Sequence, residues 1–318
     1  MEKIACFIHS TNLNLWKDTV LIKMLDSLKD NGLLHKLKHL CIVNTGNRLD
    51  TTEIEKKYAP AKIVNWSKNT MEFEICTIKQ VVTYAKLHPD TRILYMHTKG
   101  ISYTKEHVFV PGIQAWIDYM LHVLVTNHEK CLKLLQLYDT VGCNFRPDEN
   151  GNMQHYSGNF WWVRADYVQH LPVENMKDKY EPEFWVLQNR PFLFNVHKIE
   201  HMYEQAYPLE NYKECVDRGF DDNVFFCKLG FHQTGLCNQL YCLANVITAA
   251  SLQDGNKVII LDDFITEILS NNTKPSKYVI DLDALNERLL SDKIHVFYKN
   301  DIKMELIKVQ YGLKELQT

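Results

Sequence analysis

The sequence predicts an α/β protein: a mostly parallel sheet flanked by helices, followed by a smaller, partial α/β segment. Three observations carry this. Short apolar runs alternate with stretches of three- and four-residue apolar spacing over the first 100 residues. Polar or turn-forming residues follow each apolar run. A new β-α-β pattern opens after a charged stretch at residues 211–222.

Residues 4–8 form a buried-strand candidate. Trp16, Val20, Leu21, Met24, Leu25 and Leu28 then recur on one face of an amphipathic helix, and Gly32 suits its end. Residues 40–43 make a second strand, with Asn44-Thr45-Gly46 as turn chemistry behind it, and Ile63-Val64 marks a third. Ile75, Ile78, Val82 and Ala85 give a second helix, stopped near Pro89 before the strand Ile93-Leu94-Tyr95-Met96. Strands alternating with helices call for a largely parallel sheet. Ile113, Trp116, Ile117, Met120, Leu121 and Leu124 open a long helix reaching about residue 137. Val141-Gly142-Cys143 is a short strand, residues 146–151 are a polar loop, and Glu181-Pro182-Glu183-Phe184-Trp185 starts a further helix. Strands at 224–227 and 257–261 flank a turn and a helix in the second segment. The expected division is 1–212 and 213–318.

Apolar residues are 46% and charged residues 24% of the 318, which excludes disordered, collagen-like and coiled-coil chains. The formal net charge is −3, with no basic excess to favour nucleic acid or an anionic membrane. Nine cysteines include no Cys-x-x-Cys pair, and Cys6 and Cys41 lie inside apolar runs, as expected of reduced thiols. The apolar run after Met1 is too short for a signal peptide, and none reaches the roughly 18 residues of a membrane span. The expectation is a soluble, cytoplasmic protein. Plentiful Lys, Asn and Ile with scarce Arg point to an AT-rich genome, of a viral or other low-GC source.

In parallel sheets ligands bind beyond the carboxyl ends of the strands. Those ends are His9-Ser10-Thr11, Asn44-Thr45-Gly46, Asn65-Trp66-Ser67 and His97-Thr98-Lys99-Gly100, all polar or small. The chain has no Gly-x-x-x-x-Gly-Lys-Ser/Thr, Gly-x-Gly-x-x-Gly, Gly-x-Ser-x-Gly or His-Glu-x-x-His. This argues against P-loop NTPases, dinucleotide oxidoreductases, α/β-hydrolases and common zinc proteases.

Three strings carry a resemblance: Leu94-Tyr95-Met96-His97-Thr98-Lys99-Gly100, Tyr156-Ser157-Gly158-Asn159-Phe160-Trp161-Trp162, and Glu181-Pro182-Glu183-Phe184-Trp185. Through them residues 1 to about 212 resemble GT-A type nucleotide-sugar glycosyltransferases, in particular those of large DNA viruses and bacteria. The resemblance implies a GT-A-like sheet and transfer of a sugar from a nucleotide donor to a glycan or other hydroxyl acceptor. Donor binding falls to His9, Thr11, Asn44, Gly46, His97, Lys99 and Gly100. The fourth strand is where the family places Asp-x-Asp, which holds a divalent cation (Mn²⁺ or Mg²⁺). Here it reads His97-Thr98-Lys99, leaving open a Lys99 charge facing the diphosphate, His97 as metal ligand, or ligands from His197 and His201. Glu183 is the candidate base for inverting direct displacement, with Glu181 its rival; alternatively both are acids favoured by a helix start. Trp161 and Trp162 offer flat faces to a sugar, but on a strand they point oppositely, so one is expected to be core. Ser157, Gly158 and Asn159 let backbone approach a ligand, and His155 is either a contact or a packing residue.

In the second segment Gly235-Leu236-Cys237-Asn238-Gln239 resembles the start of a fucosyltransferase-like GT-B domain, which implies a Rossmann-like, truncated second transferase domain; the alternative is an ordinary α/β segment. Asp281-Leu282-Asp283 is a lone Asp-x-Asp there, read as a helix cap. The rival to the enzyme is a non-catalytic nucleotide-sugar or glycan-binding scaffold. A third class, another α/β enzyme such as a methyltransferase, is opposed by the missing Gly-rich first turn after Ile8.

Overall fold

A computed structural model describes residues 3–13, 18–100, 103, 106–136, 138–146, 153–174, 176–189, 191, 193–199 and 203–221, then 224–227, 243–248, 257–261, 267–269, 272–274 and 294–298. The order is β1 (Lys3–Asn12), α1 (Asp18–Asp30), β2 (His39–Gly46), α2 (Thr51–Lys57), β3 (Ala61–Ser67), α3 (Ile75–Leu87) and β4 (Thr91–His97). It continues with α4 (Val110–Leu121), α5 (His128–Leu134), β5 (Thr140–Gly142), β6 (Phe145–Arg146), β7 (His155–Tyr156), β8 (Trp161–Arg164), α6 (Ala165–Val168), α7 (Glu181–Trp185), β9 (Leu193–Asn195) and α8 (Lys213–Asp221).

Seven strands form one sheet in the order β3-β2-β1-β4-β8-β5-β9. All neighbours are parallel except β8, which runs against both β4 and β5. This is the expected mostly parallel sheet with helices packed on it. β1 sits centrally with both faces covered, so it reads as a near-continuous apolar run. Its alternate residues feed two cores: Ile4, Cys6 and Ile8 on one face, Ala5 and Phe7 on the other. β3 is an edge strand, and Val64 and Trp66 are exposed there.

One expectation is corrected, and one helix is new. The helix from residue 113 is not continuous to 137; a π-helical turn at His122–Thr126 separates α4 from α5. Helix α2 has no counterpart in the apolar spacing, because it buries none of its residues. Gly32, at φ +73°, does end α1 as its position suggested. Cys6, Cys41, Cys76, Cys131 and Cys143 are buried free thiols. No helix among the described residues is long and apolar enough to cross a membrane.

The chain divides into two compact units, Met1–Phe220 and Asp221–Thr318. In the second, β10 (Val224–Cys227), β11 (Lys257–Leu261) and β14 (Ile294–Tyr298) form a parallel three-stranded sheet, and β12 (Glu267–Leu269) pairs with β13 (Asn272–Lys274). Its first two strands fall where the sequence placed them. Residues 235–239 and 281–283 lie outside the described residues.

Candidate functional site

Parallel strands joined by helices bring their carboxyl ends to one edge. At that edge His9 of β1 aligns with Val43 of β2 and His97 of β4, and Thr11 aligns with Thr45. The expected donor-binding residues of β1 and β2 turn inward. His9 is 2% exposed; its Nδ1 lies 2.9 Å from Thr77 Oγ1 and its Nε2 3.1 Å from Thr11 Oγ1. Burial pushes its imidazole down to about 4, and the two hydroxyls satisfy the neutral ring. Buried Asn44 donates from Nδ2 to Asn47 O (2.9 Å) and Asn65 Oδ1 (3.0 Å). Position 46 requires glycine, since its φ is +86° and a Cβ there would stand 2.2 Å from Asn12 O. His9, Thr11, Asn44 and Gly46 thus join strand ends to one another, and none lines the cleft described next.

A cleft of about 600 Å³ opens at the tip of β4, within the range of small-molecule sites. His97, Lys99 and Gly100 come from β4 and its end, His155 from β7, Ser157 and Asn159 from the turn between β7 and β8, and Glu183 from α7. Glu74, Tyr103, Trp116, Lys179, Tyr180 and Tyr203 complete the charged and aromatic lining. The antiparallel run of β8 makes this possible. Tyr95 pairs with Trp161, so the start of β8 and its preceding turn fall at the carboxyl end of β4.

One hydrogen-bonded chain ties the site together. His97 Nδ1 meets Glu74 Oε1 at 2.6 Å, and His97 Nε2 donates to Gly158 O at 2.9 Å. Asn159 Nδ2 donates to the other Glu74 oxygen at 2.6 Å, and Trp161 Nε1 donates to Asn159 Oδ1 at 2.7 Å. Gly158 N donates to Glu183 Oε1 at 3.1 Å. Both faces of the Gly158 residue are therefore gripped, its carbonyl by His97 and its amide by Glu183. Burial resists ionisation of Glu74, but the His97 charge and hydrogen bond outweigh it and bring the carboxyl down to about 2. Glu183 is set in place by α7, whose Trp185 is fully buried and donates from Nε1 to Pro172 O at 2.9 Å.

The residues do not fit a divalent cation at His97. Both of its nitrogens face oxygen acceptors, and both Glu74 oxygens already accept hydrogen bonds. No group of three His, Cys, Asp or Glu side chains able to hold a metal occurs among the described residues. His197 does not supply one. Residues 196–199 are irregular, so the helix that would align His197 with His201 is absent there; His201 lies outside the described residues. Tyr119 Oη donates to His197 O at 3.0 Å, which places His197 in the packing between α4 and β9.

Trp161 and Trp162 are corrected from sugar platform to core. Both are 0% exposed. Trp161 stacks on Tyr95 at 4.6 Å, and Trp162, on the opposite face, donates from Nε1 to Leu124 O at 2.8 Å. The aromatic surface of the cleft is Tyr103, Trp116, Tyr180 and Tyr203 instead. His155 lines the cleft, with Nε2 3.0 Å from Ser157 Oγ and its ring 5.3 Å from Phe184. Glu181 is not part of the cleft; it accepts the Asp178 amide at 2.7 Å and the Lys177 amide, closing the turn before α7. Glu74 and Lys179 escaped the sequence reading. An acid just before a helix reads as a cap, yet Glu74 occupies the N-cap of α3 without making a capping bond. That contradiction shows only in three dimensions.

The sheet and its cleft define an α/β protein with a charged, aromatic-walled cleft at the carboxyl edge. A family described as a domain of unknown function, DUF8361, matches residues 9–205, and the chain belongs to it. No curated protein matches. Among solved structures the chain is similar to a 4-diphosphocytidyl-2C-methyl-D-erythritol synthase (11% identity, 68% of this chain and 99% of that one, TM-score 0.38). It is also similar to glucosyl-3-phosphoglycerate synthase from Mycobacterium tuberculosis in complex with uridine diphosphate (13%, 86% and 87%, 0.34). HddC from Yersinia pseudotuberculosis is a third (12%, 67% and 98%, 0.34). At these scores the likenesses carry no argument about the reaction.

Proposed function

We propose that the first unit is a glycosyltransferase that moves a hexose, deoxyhexose or pentose from a UDP-, GDP- or TDP-linked donor to a glycan or similar hydroxyl. The observation that carries the reading is the meeting of Glu183, Lys99 and Lys179 in one cleft at the tip of β4. An acceptor oxygen attacks the anomeric carbon and forms the new C–O bond as the bond to the phosphate oxygen breaks. Its proton passes to Glu183, whose Oε1 is already anchored on the Gly158 amide. The nucleoside diphosphate leaves with the bonding pair, and Lys99 and Lys179 offset its charge. Direct displacement inverts the anomeric centre.

The test is nucleotide release by purified protein over a nucleotide-sugar panel, with candidate hydroxyl acceptors, in Mn²⁺ and in EDTA. Glu183→Gln is expected to lower turnover by about 10²–10⁴-fold while donor still raises the melting temperature. A binding scaffold would show the temperature shift with no release from any donor. Neither release nor shift with any donor would sink both readings.

A further inference from the structure

We propose that the cleft takes a diphosphate on Lys99 and Lys179 without a divalent cation. This deepens the transferase reading above and rests on it only for the identity of the ligand. A phosphate-bridging cation is ordinarily held by carboxylates. Two carboxylates line the cleft, Glu74 and Glu183; each Glu74 oxygen stands 2.6 Å from a donor, His97 Nδ1 or Asn159 Nδ2, and Glu183 Oε1 accepts the Gly158 amide. A cation at Glu74 would have to displace both of its donors. A histidine ligates metal through a lone pair on a neutral ring. His97 has both nitrogens turned to oxygen atoms, Glu74 Oε1 and Gly158 O, so neither is directed at a cation in the cleft. The pair is a closed internal unit.

Two cations remain to face a ligand. Lys99 Nζ lies 4.3 Å over the Trp116 ring, and Lys179 Nζ 4.7 Å over the Tyr180 ring. Neither forms a salt bridge to an acid among the described residues. Tyr180 is exposed and Trp116 is largely buried; a cation on such faces is held by about 0.5–2 kcal/mol, less than a charge-assisted contact to a diphosphate supplies. The acids facing them are Glu74, offset by His97, and Glu183, which anchors on Gly158 N.

The experiment is calorimetric titration of the full chain with inorganic pyrophosphate and with UDP, in EDTA and in Mn²⁺. Pyrophosphate is expected to bind in EDTA. Lys99→Met and Lys179→Met should each weaken binding by about tenfold, and Lys99→Arg should restore most of it, which separates lost charge from lost folding. In parallel, the electron paramagnetic resonance signal of free Mn²⁺ should not fall when equimolar protein is added. Binding seen only with Mn²⁺, no binding at all, or Lys→Met variants that bind as wild type would each overturn the inference. Turnover that requires Mn²⁺ would overturn it and leave the transferase reading standing. Pyrophosphate binding in EDTA with no turnover on any donor would do the reverse.

Discussion

Replacing Gly158 with Ala tests how tightly the site is built. Gly158 has φ +99°, where a side chain is strained. A Cβ would also stand 2.4 Å from Met120 Sδ and 3.0 Å from Trp116 Cζ2. Met120 is fully buried and cannot swing into solvent. The backbone term is about 1–2 kcal/mol, and forcing a methyl into a packed core adds about 1–3 kcal/mol. Gly32→Ala separates the two: it has φ +73° but nothing within 4 Å of its Cβ, so it carries the backbone term alone. For a unit of this size each kcal/mol lowers the melting temperature by roughly 2–4 °C. Thermal unfolding followed by tryptophan fluorescence should show Gly158→Ala falling by roughly 4–20 °C and well below Gly32→Ala. Because Gly158 binds both His97 and Glu183, the same variant should lose nucleotide release. A Gly158→Ala protein no less stable than Gly32→Ala would refute the packing argument.

Two further outcomes follow from the same geometry. Acidification should weaken the fold through His9: its folded value of about 4 lies below the ordinary 6.5, so the unfolded chain binds more protons between these values and stability falls with pH there. The loss attributable to His9 is up to about 3 kcal/mol, and urea midpoints at pH 7 and pH 4.5 should differ less in His9→Gln than in wild type; equal differences would remove His9 as the source. Trp162→Phe should destabilise by about 1–3 kcal/mol, through lost volume and an unpaired Leu124 carbonyl, yet leave pyrophosphate affinity unchanged. A weaker affinity with an unshifted melting curve would return Trp162 to the site.

The sequence by itself determined the strands β1 to β4 and the helices α1 and α3, because buried strands and amphipathic helices leave clear apolar periods. It also marked the carboxyl edge, the Ser157-Gly158-Asn159 turn and the Glu183 helix start. It could not show α2, which buries none of its residues, or the break at His122–Thr126, since a π-turn keeps an apolar face. It could not decide which polar strand-end residues meet solvent. His9 and Asn44 find partners in Thr77 and Asn65, 68 and 21 residues away, and turn inward. The sequence predicts that one of Trp161 and Trp162 faces a sugar, but the antiparallel pairing of β8 with β4 leaves both buried. Glu74 was an ordinary helix-start acid until the fold set His97 and Asn159 on its two oxygens. Local periodicity fixes what an element is. Burial and charge pairing depend on neighbours distant in the chain, and only the packed structure brings those together.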